Sequence, residues 1–493
     1  MNPLDHIINF FDPIRGRHRA QARVATRALM NYDAATGGAR TSSWRWPATD
    51  ADAALYTSAR KLRQVSRDMI RNRPLAARAQ RVTTGSVVGA GILPSLNAPD
   101  MDGKFAQQVT QVINDHLLTP RIDALRTHTL PEMQEIAMNA VFSDGEVLLR
   151  RRWRTVQFEP DLVLPFQVQM LEVDHLNPLV LKWGENVVLD GVEYGPTGRI
   201  VAYHLLKQHP GKIRFTNILE SERVPAADII HLRRAGRPEQ LRGEPWLAPV
   251  LLTLADLSDY QEAQIVKQKM SALLVGIVET EDGSEKPDTG NLSDLAPGTI
   301  VTAPQGSKVK FSDPPQVNDY GPFMTAGVRS VAIGIGLTYE ALSGDLGGVN
   351  YSSGRMGHIV MDRNVDMWQQ NIIIGQMCCG IEGWIRDAWP SIEGRAFPRL
   401  GIRSLPAAQF ALDWTAPRRP LIDPVKEIPA LAAEVESGLT SMQRQQRRLG
   451  YDPETIRRER VQDMEANAAV RLPPPGSTVT AALASAQSGD TAK

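Results

Sequence analysis

Few side chains in this sequence are spaced so that they could carry out chemistry together. Asp174 and His175 come nearest to a catalytic dyad, but neighbouring side chains on a strand point to opposite faces and cannot share a proton. We therefore interpret them as a turn pair before Asn177-Pro178. Ser353 and His358 lie five residues apart at a helix start, which separates their faces, and no G-x-S-x-G elbow surrounds the serine. Helix capping is the better interpretation of that serine.

Metal, phosphate and redox chemistry also lack their usual patterns. The sequence contains no G-x-x-x-x-G-K-[ST] loop, so the chain is not predicted to be an ATPase. It contains neither HExxH nor Cys-x-x-Cys, and only His204 and His209 have the spacing of a ligand pair. Cys378 and Cys379 are adjacent and leave no other cysteine to pair, which excludes a disulfide framework and indicates a reducing compartment. We predict no catalytic residue, no cofactor and no metal site.

The composition indicates a folded protein without a strong overall electric field. The chain has 493 residues, of which 42% are apolar, and this predicts a sizeable core and two to four structural units. Lys+Arg and Asp+Glu both total 55, so any contact with nucleic acid has to be local. The N terminus lacks a secretory signal pattern. Asp256 and Lys267 lie inside the most apolar long stretch, 246–278, and argue against a transmembrane span.

The first half of the chain has the pattern of a mixed α+β body. An Ala-rich run over 52–81 is predicted to be helical, and its eight cationic side chains form either a solvated or subunit-facing surface or a nucleic-acid-binding patch. A helix is predicted at 131–142. Turn signals then separate strand-like pieces at 147–152, 166–173, 200–206 and 229–232.

The second half is dominated by long helices. Apolar residues recur every three or four positions over 246–274 and predict one amphipathic helix of about 40 Å. Strand candidates at 299–302 and 308–311 form a small protruding insert, after which a second helix begins following Asp319 and ends near Gly334 and Gly336.

A further long helix is predicted to run from a cap at Ser352 or Ser353 to Trp389-Pro390. It would measure about 55 Å if unbroken. Glycines inside it predict a bend; they are Gly375, Gly380 and Gly383. Its tryptophans share helical spacing with Ile and Met, which favours core packing over base stacking. A final helical region is predicted over 424–468.

Several segments, taken in order, resemble the portal proteins of lambda-type tailed phages. The strongest is IGLTYEALSGDL at 335–346, followed by VNYSS at 349–353. Earlier pieces keep the order of the family and cover most of the chain; they are VVGAGI at 87–92, GRIVAYH at 198–204, VPAADIIH at 224–231 and RPEQLRGEPWLA at 237–248.

The resemblance implies a phage portal fold, α+β and mainly helical, that forms a closed ring. Its parts are a wing, a pair of stem helices, a clip between them, a tunnel loop and a crown. The implied divisions are 51–244 for the mixed α+β wing, 245–274 for the first stem helix, 275–318 for the clip, 319–342 for the second stem helix, 343–352 for the tunnel loop, 353–419 for a long helix returning into the wing and 420–471 for the crown. The composition of the two ends predicts an N-terminal basic arm at 1–50 and a disordered tail at 472–493.

The function that this resemblance implies is a ring-shaped DNA channel at one capsid vertex, which acts in genome packaging, terminase docking, head–tail attachment and genome ejection, and is not an enzyme. The implied partners are other copies of the chain, typically twelve in the family, double-stranded DNA bound without specificity, the terminase large subunit, the major capsid protein and a head–tail adaptor protein. No membrane partner is implied. The expected location is the virion, at the portal vertex, after assembly in the host cytoplasm.

The residues implied to face DNA lie in the tunnel loop. They are Leu346, Gly347, Gly348, Val349, Asn350 and Tyr351. Gly347, Gly348 and Asn350 carry no fixed charge, and glycine lets a loop follow a moving duplex. A strongly basic bore would instead grip DNA through counterion release. Gly347 and Gly348 also give this loop more slack than the family pattern, and Gly354 and Gly357 weaken the helix start that follows.

Two other classes of function fit less well. A nucleic-acid-processing enzyme such as a nuclease requires clustered carboxylates that bind two metals, and the sequence offers no convincing cluster. A head-to-tail adaptor or another structural virion protein would share the absence of catalytic patterns. Such a protein should not, however, contain two long helices that flank a compact insert.

Overall fold

The computed structural model describes residues 48–98, 101–155, 157–212, 220–272, 276–280, 307–311, 320–417 and 423–469, together with Ile14, His18 and Ser43. The chain divides into two units, Met1–Ala54 and Leu55–Lys493, and the second holds the candidate site. The predicted basic arm at 1–50, apart from a few residues, the strand at 299–302, most of the clip and the tail at 472–493 fall outside the described residues. Among the helices described, none combines the length and the apolar character needed to cross a bilayer.

The run 52–81 is helical, as predicted, but it is broken into three helices: α1 (Ala51–Tyr56), α2 (Ala59–Asn72) and α3 (Pro74–Val87). Arg73 separates α2 from α3 with an extended backbone, φ −118° and ψ 121°. The residue before a proline is driven out of the helical region, and the proline itself suits the first turn of the next helix.

The mixed body that follows contains two antiparallel sheets. After β1 (Leu93–Asn97), α4 (Gly103–Leu117) and α5 (Leu130–Asp144), a three-stranded sheet places β2 between β3 and β9. A five-stranded meander runs from β4 to β8 in chain order. The strands are β2 (Glu146–Trp153), β3 (Phe166–Leu171), β4 (Lys182–Trp183), β5 (Asn186–Leu189), β6 (Val192–Tyr194), β7 (Ile200–Leu206), β8 (Ser221–Pro225) and β9 (Ile229–Arg233).

Strand predictions succeed where the strand is long and apolar. Those at 147–152, 200–206 and 229–232 are confirmed, as is the helix at 131–142. The strand predicted at 166–173 ends at Leu171 and is followed by a 3-10 turn, Val173–His175. The strands β4, β5, β6 and β8 were not predicted, because they are short and mostly half-buried or exposed.

The helix predicted at 246–274 is α6 (Leu251–Ala272), preceded by a 3-10 turn, Ala248–Val250. In the insert, β10 (Gly276–Thr280) pairs antiparallel with β11 (Ser307–Phe311), and only the second of these strands was predicted. The helix predicted to begin after Asp319 and to end near Gly334 and Gly336 is confirmed as α7 (Tyr320–Ile335), which ends at Gly336, whose φ of +81° favours glycine. The region 319–342, implied to be the second stem helix, also contains a separate short helix, α8 (Tyr339–Ser343).

The long helix predicted to end at Trp389 consists of α9 (Tyr351–Trp368), a π-helical stretch (Gln369–Cys378) and α10 (Cys379–Ala388). The irregularity therefore falls around Gly375, since a π-helical stretch interrupts the regular α-helical ladder. The tryptophans of this helix, Trp368, Trp384 and Trp389, are buried, which confirms core packing.

The rest of 353–419 is not helical throughout. β12 (Ala411–Thr415) pairs antiparallel with β1, and this strand was not predicted. The final helical region is confirmed as three helices, α11 (Pro424–Glu436), α12 (Met442–Arg448) and α13 (Pro453–Ala469).

A close backbone crossing joins β2 to the segment before α6. Gly145 ends α5 with a φ of +87°, and a Cβ atom on Gly243 would lie 2.1 Å from the Gly145 carbonyl oxygen. Beside the crossing, the buried Glu146 carboxylate accepts hydrogen bonds from the Gly243 amide at 2.9 Å and from Arg242 at 2.8 Å. Burial alone would raise the pKa of Glu146, but the charge of Arg242 and a hydrogen bond from His231 outweigh it and hold that pKa well below its usual range.

We expect Gly243→Ala to lower the free energy of unfolding by more than about 2 kcal/mol, because the added Cβ atom would meet the Gly145 carbonyl group and Cβ of Glu146, and neither is the far end of a flexible side chain. Urea denaturation followed by circular dichroism measures the change. Gly85→Ala is the matched control: this exposed glycine lies inside α3 with nothing within 4 Å of an added Cβ atom. It should raise stability by up to about 1 kcal/mol. Equal effects of the two substitutions would contradict the crossing.

Candidate functional site

Helices α6 and α7 form an antiparallel pair that leads to the predicted tunnel loop. Two glycines of α7 allow close contact: a Cβ atom on Gly334 would lie 2.4 Å from Cγ1 of Val250, just before α6, and one on Gly327 would lie 2.4 Å from Cδ2 of Leu257. Farther along, the ring of Tyr260 lies 4.8 Å from that of Phe323. Val250 is thus level with the end of α7, and Tyr260 with its beginning.

The first half of α6 is anchored in the core, whereas its second half extends beyond it. Leu251, Leu254 and Leu257 are buried. From 261 to 269 every described side chain is half-buried or exposed. The apolar periodicity that predicted this helix therefore continues past Leu257 into the half of the helix whose described side chains are not buried.

Trp246 fixes the point where the helix pair joins the body. Its side chain is 1% exposed, and its indole N–H donates to the Ile335 carbonyl oxygen at 2.9 Å. Its ring stacks on Phe142 of α5 with centroids 5.7 Å apart and meets the edge of Trp368 of α9 at 4.8 Å. One side chain thus contacts α5, the end of α7 and the end of α9.

The turn after α7 is clamped to α9. The Gly336 carbonyl oxygen accepts a hydrogen bond from Nδ2 of Asn364 at 3.0 Å. A Cβ atom on Gly336 would lie 3.2 Å from the ring of Trp368, so this position combines a positive φ with a close approach. Thr338 then caps α8 by accepting from the Ala341 amide at 3.2 Å. The start of the loop is therefore held on a fixed base.

The loop itself is held by short local hydrogen bonds. Gly344, with a φ of +74°, ends α8, and Nε of Arg78 donates to the preceding Leu342 carbonyl oxygen at 3.0 Å. The Asp345 carboxylate accepts from the Gly347 amide at 2.9 Å and from the Tyr339 hydroxyl at 3.2 Å. These contacts order the beginning of the loop, whereas a Cβ atom on Gly348 would meet nothing within 4 Å.

Asn350 ends the loop and caps α9. Its side-chain oxygen accepts from the Ser353 amide at 2.8 Å, and its own amide donates to Oγ of Ser353 at 3.1 Å. The prediction that Ser352 or Ser353 caps this helix is therefore wrong: Ser353 is the reciprocal partner three residues into the helix, and asparagine is the cap. Tyr351 and Ser352, predicted to belong to the loop, lie in the first turn of α9.

The loop surface is uncharged but has charged neighbours. Leu346 is 68% exposed and Tyr351 49%, while Val349 is half-buried. The residues from 346 to 350 contain no ionisable side chain. Asp345 precedes them, and Nζ of Lys426, on α11, lies 5.7 Å from the centroid of the Tyr351 ring. The loop therefore presents apolar and neutral groups between charges of both signs.

Two of the arginines on α2 face inward, which neither interpretation of the eight cationic side chains foresaw. The Arg63 side chain is 9% exposed and lies 3.4 Å from Asp174, and Arg67 lies 2.7 Å from Asp174. Burial alone would raise the pKa of Asp174, but the charges of Arg67 and Arg63 outweigh it and hold that pKa below its usual value. These cations are therefore neutralised inside the fold and cannot form a nucleic-acid surface.

The prediction that Asp174 and His175 form a turn is confirmed, because both residues lie in the 3-10 turn after β3. Glu172, Asp174 and His209 come together, with Nε2 of His209 3.1 Å from the Glu172 carboxylate. Arg67 already contacts both carboxylates, at 3.2 Å for Glu172 and 2.7 Å for Asp174. An ion-pair network accounts for this group without a metal. His204 does not belong to this group; its Nε2 atom lies 3.0 Å from the Glu193 carboxylate.

Residues 37–369 match the family described as phage portal protein, lambda family. The chain belongs to the lambda family of phage portal proteins. The match includes α6, α7 and the loop between α8 and α9, and it ends where the π-helical stretch begins. The role of the chain is accordingly that of a portal protein, and a head-to-tail adaptor is not favoured.

Several portal proteins are similar over nearly the whole chain. A probable portal protein of Halomonas phage phiHAP-1 is 26% identical and covers 88% of this chain and 86% of its own length. Portal protein B of Escherichia phage lambda is 22% identical, with 89% and 90% covered. Among solved structures, a chain from the neck of the native GTA particle, computed with C12 symmetry, has a TM-score of 0.47 at 14% identity and covers 80% of this chain and 94% of that chain.

We expect Asn350→Ala to loosen the first turn of α9, which follows the predicted tunnel loop. Loss of an asparagine cap costs about 1 kcal/mol, which corresponds to about fivefold faster exchange of the amides in that turn. Hydrogen–deuterium exchange over residues 351–355 measures this. Asn350→Asp keeps the acceptor and should exchange like the wild type, so faster exchange in that variant would contradict the capping assignment.

Proposed function

We propose that copies of this chain form a closed ring whose bore is lined by the α6–α7 pairs and narrowed by the loop at 344–350. The observation that carries the proposal is the helix pair itself, anchored at Trp246 and left uncovered along the second half of α6. A helix that is apolar beyond its own core requires a partner. A ring of identical chains supplies one, since each copy offers one flank to the next.

The loop suits the passage of double-stranded DNA. Duplex DNA carries one charge per about 1.7 Å of axis, and a row of exposed lysines or arginines would bind it through counterion release. The residues from 346 to 350 contain no such side chain. Two of the cations on α2, Arg63 and Arg67, are paired with carboxylates inside the fold. The proposed bore therefore contacts DNA without gripping it or reading its sequence.

The remaining parts of the proposal come from the family. The ring has typically twelve copies, sits at one vertex of the capsid in the virion after assembly in the host cytoplasm, and acts without enzymatic activity. Its partners are the terminase large subunit during packaging, the major capsid protein around the wing at 51–244, and a head–tail adaptor protein for attachment and ejection. By analogy with the family, the clip at 275–318 and the crown at 420–471 lie at the two opposite ends of the proposed channel.

Electron microscopy of the purified full chain tests the ring directly. Class averages of discs with a central hole are the expected result, because the exposed faces of α6 and α7 then cover one another. Mass photometry of the same sample gives the number of copies. A compact monomer that persists at high protein concentration would contradict the proposal.

Replacing Gly347 and Gly348 together by leucine should leave ring assembly intact but reduce the amount of DNA packaged severalfold. Both positions accept a side chain: a Cβ atom on Gly347 meets only the Asp345 carboxylate, at 3.2 Å, and one on Gly348 meets nothing within 4 Å. The bulk would therefore project from the loop into the bore. An in vitro packaging assay with the cognate terminase measures the yield, and the double serine variant is the control. Normal genome filling by the leucine variant would contradict the assignment of this loop to the channel wall.

A further inference from the structure

Helix α6 carries a second stripe of residues on the face away from its core contacts. Its members follow one another at spacings of four, three, four and three, which keeps them on one face over four turns. They are Leu252, Asp256, Asp259, Ala263 and Val266, and all are exposed. Leu252 is 83% exposed and Val266 54%. Buried Leu254 and Leu257 lie on the other side of the helix.

Helix α7 carries a stripe with the same spacing, running in the opposite direction along the pair. Its members are separated by four, three and four positions and are also exposed; they are Pro322, Ala326, Arg329 and Ile333. Ile333 is 78% exposed. The buried residues of α7, Val328, Val331 and Ile335, lie on another face. Each helix of the pair therefore has one face packed against its own chain and one exposed face, on which Asp259 makes an ion pair of 3.9 Å with Arg73.

The two stripes are level with each other along the pair. Val250 lies beside Gly334 and Leu257 beside Gly327, so each step forward in α6 corresponds to one step back in α7. On that scale each of the four members of the α7 stripe lies within one residue, about 1.5 Å, of the height of a member of the α6 stripe, and Val266 has no counterpart in the described part of α7. The level pairs are Leu252 with Ile333, Asp256 with Arg329, Asp259 with Ala326, and Ala263 with Pro322.

The counterparts are complementary in chemistry as well as in height. Leu252 and Ile333 are both large, apolar and exposed. Asp256 and Arg329 have opposite charges, and in the described part of the chain neither has an ion-pair partner, although Arg329 lies over the Tyr339 ring at 5.1 Å. Ala263 and Pro322 are compact. Within one copy the stripes do not cover each other, since both are exposed.

We propose that the α6 stripe of one copy packs against the α7 stripe of the next copy at the same height, with Leu252 on Ile333 and Asp256 on Arg329 of the adjacent copy. This inference rests on the proposed ring and specifies its contact. A rotation about an axis that runs along the helices leaves heights unchanged, so stripes that match in height within one chain also match between neighbours. Two different surfaces that fit one another are what a head-to-tail ring requires.

Disulfide cross-linking tests the apolar contact. Leu252→Cys and Ile333→Cys are combined in a Cys379→Ser background, because Cys379 is exposed whereas Cys378 is buried. A disulfide requires Cα atoms about 4.4–6.8 Å apart. Mild oxidation of assembled rings should give a ladder of multimers on a non-reducing denaturing gel. Leu252→Cys combined with Leu125→Cys is the matched control, since Leu125 is 76% exposed and belongs to the connection between α4 and α5, and it should give no ladder.

Charge reversal tests the polar contact independently. Asp256→Arg and Arg329→Asp should each raise the protein concentration needed for ring formation by at least about tenfold, because like charges then face each other. The double reversal should restore assembly toward the wild-type concentration. Analytical ultracentrifugation measures the rings, and circular dichroism checks that the variants fold.

The outcomes separate this inference from the proposed function. A cross-linked ladder together with charge rescue supports the contact. Wild-type rings that give no ladder, a cross-link formed only within one copy, or single reversals that assemble as readily as the wild type would each overturn the contact while leaving the ring in place. A wild-type chain that forms no ring would overturn both.

Discussion

The buried indole of Trp246 sets the geometry on which the rest of the molecule depends. It is the one side chain among the described residues that donates a hydrogen bond to the last carbonyl of α7 while packing between Phe142 and Trp368. A helix leaves its final carbonyl groups without intrahelical partners, and a buried one requires a donor from elsewhere. By supplying that donor from the segment just before α6, the chain fixes where one helix of the pair starts and the other ends.

Fixing that junction also determines where the loop emerges. Because α7 ends at a set point, Gly336 can turn the chain beside Trp368, and Asn364 can hold the turn against α9. The loop then spans only the distance from Gly344 to the cap at Asn350. Its ends are positioned by buried groups, while its middle has open space around it. Fixed ends around an open centre are what the proposed contact with a moving duplex requires of this loop.

The sequence predicts the parts of this fold in which one physical pattern dominates. Apolar period found α6, α7 and α9, because each has one face in a core. It did not find the inward direction of Arg63 and Arg67, which depends on carboxylates more than 70 positions away. The cap was assigned to serine, although the decisive observation is the reciprocal bond between Asn350 and Ser353. Short strands such as β4 and β6 carry too few residues for an alternating pattern.

The same apolar period also marked residues that the chain does not bury for itself. In α6 the pattern continues past Tyr260, although the core ends there, and Leu252 lies on the uncovered face from the beginning. Inside one copy the helices approach each other through glycines, which brings the backbones close. The outer faces instead carry long side chains and opposite charges, which in the proposed ring select a partner and a height.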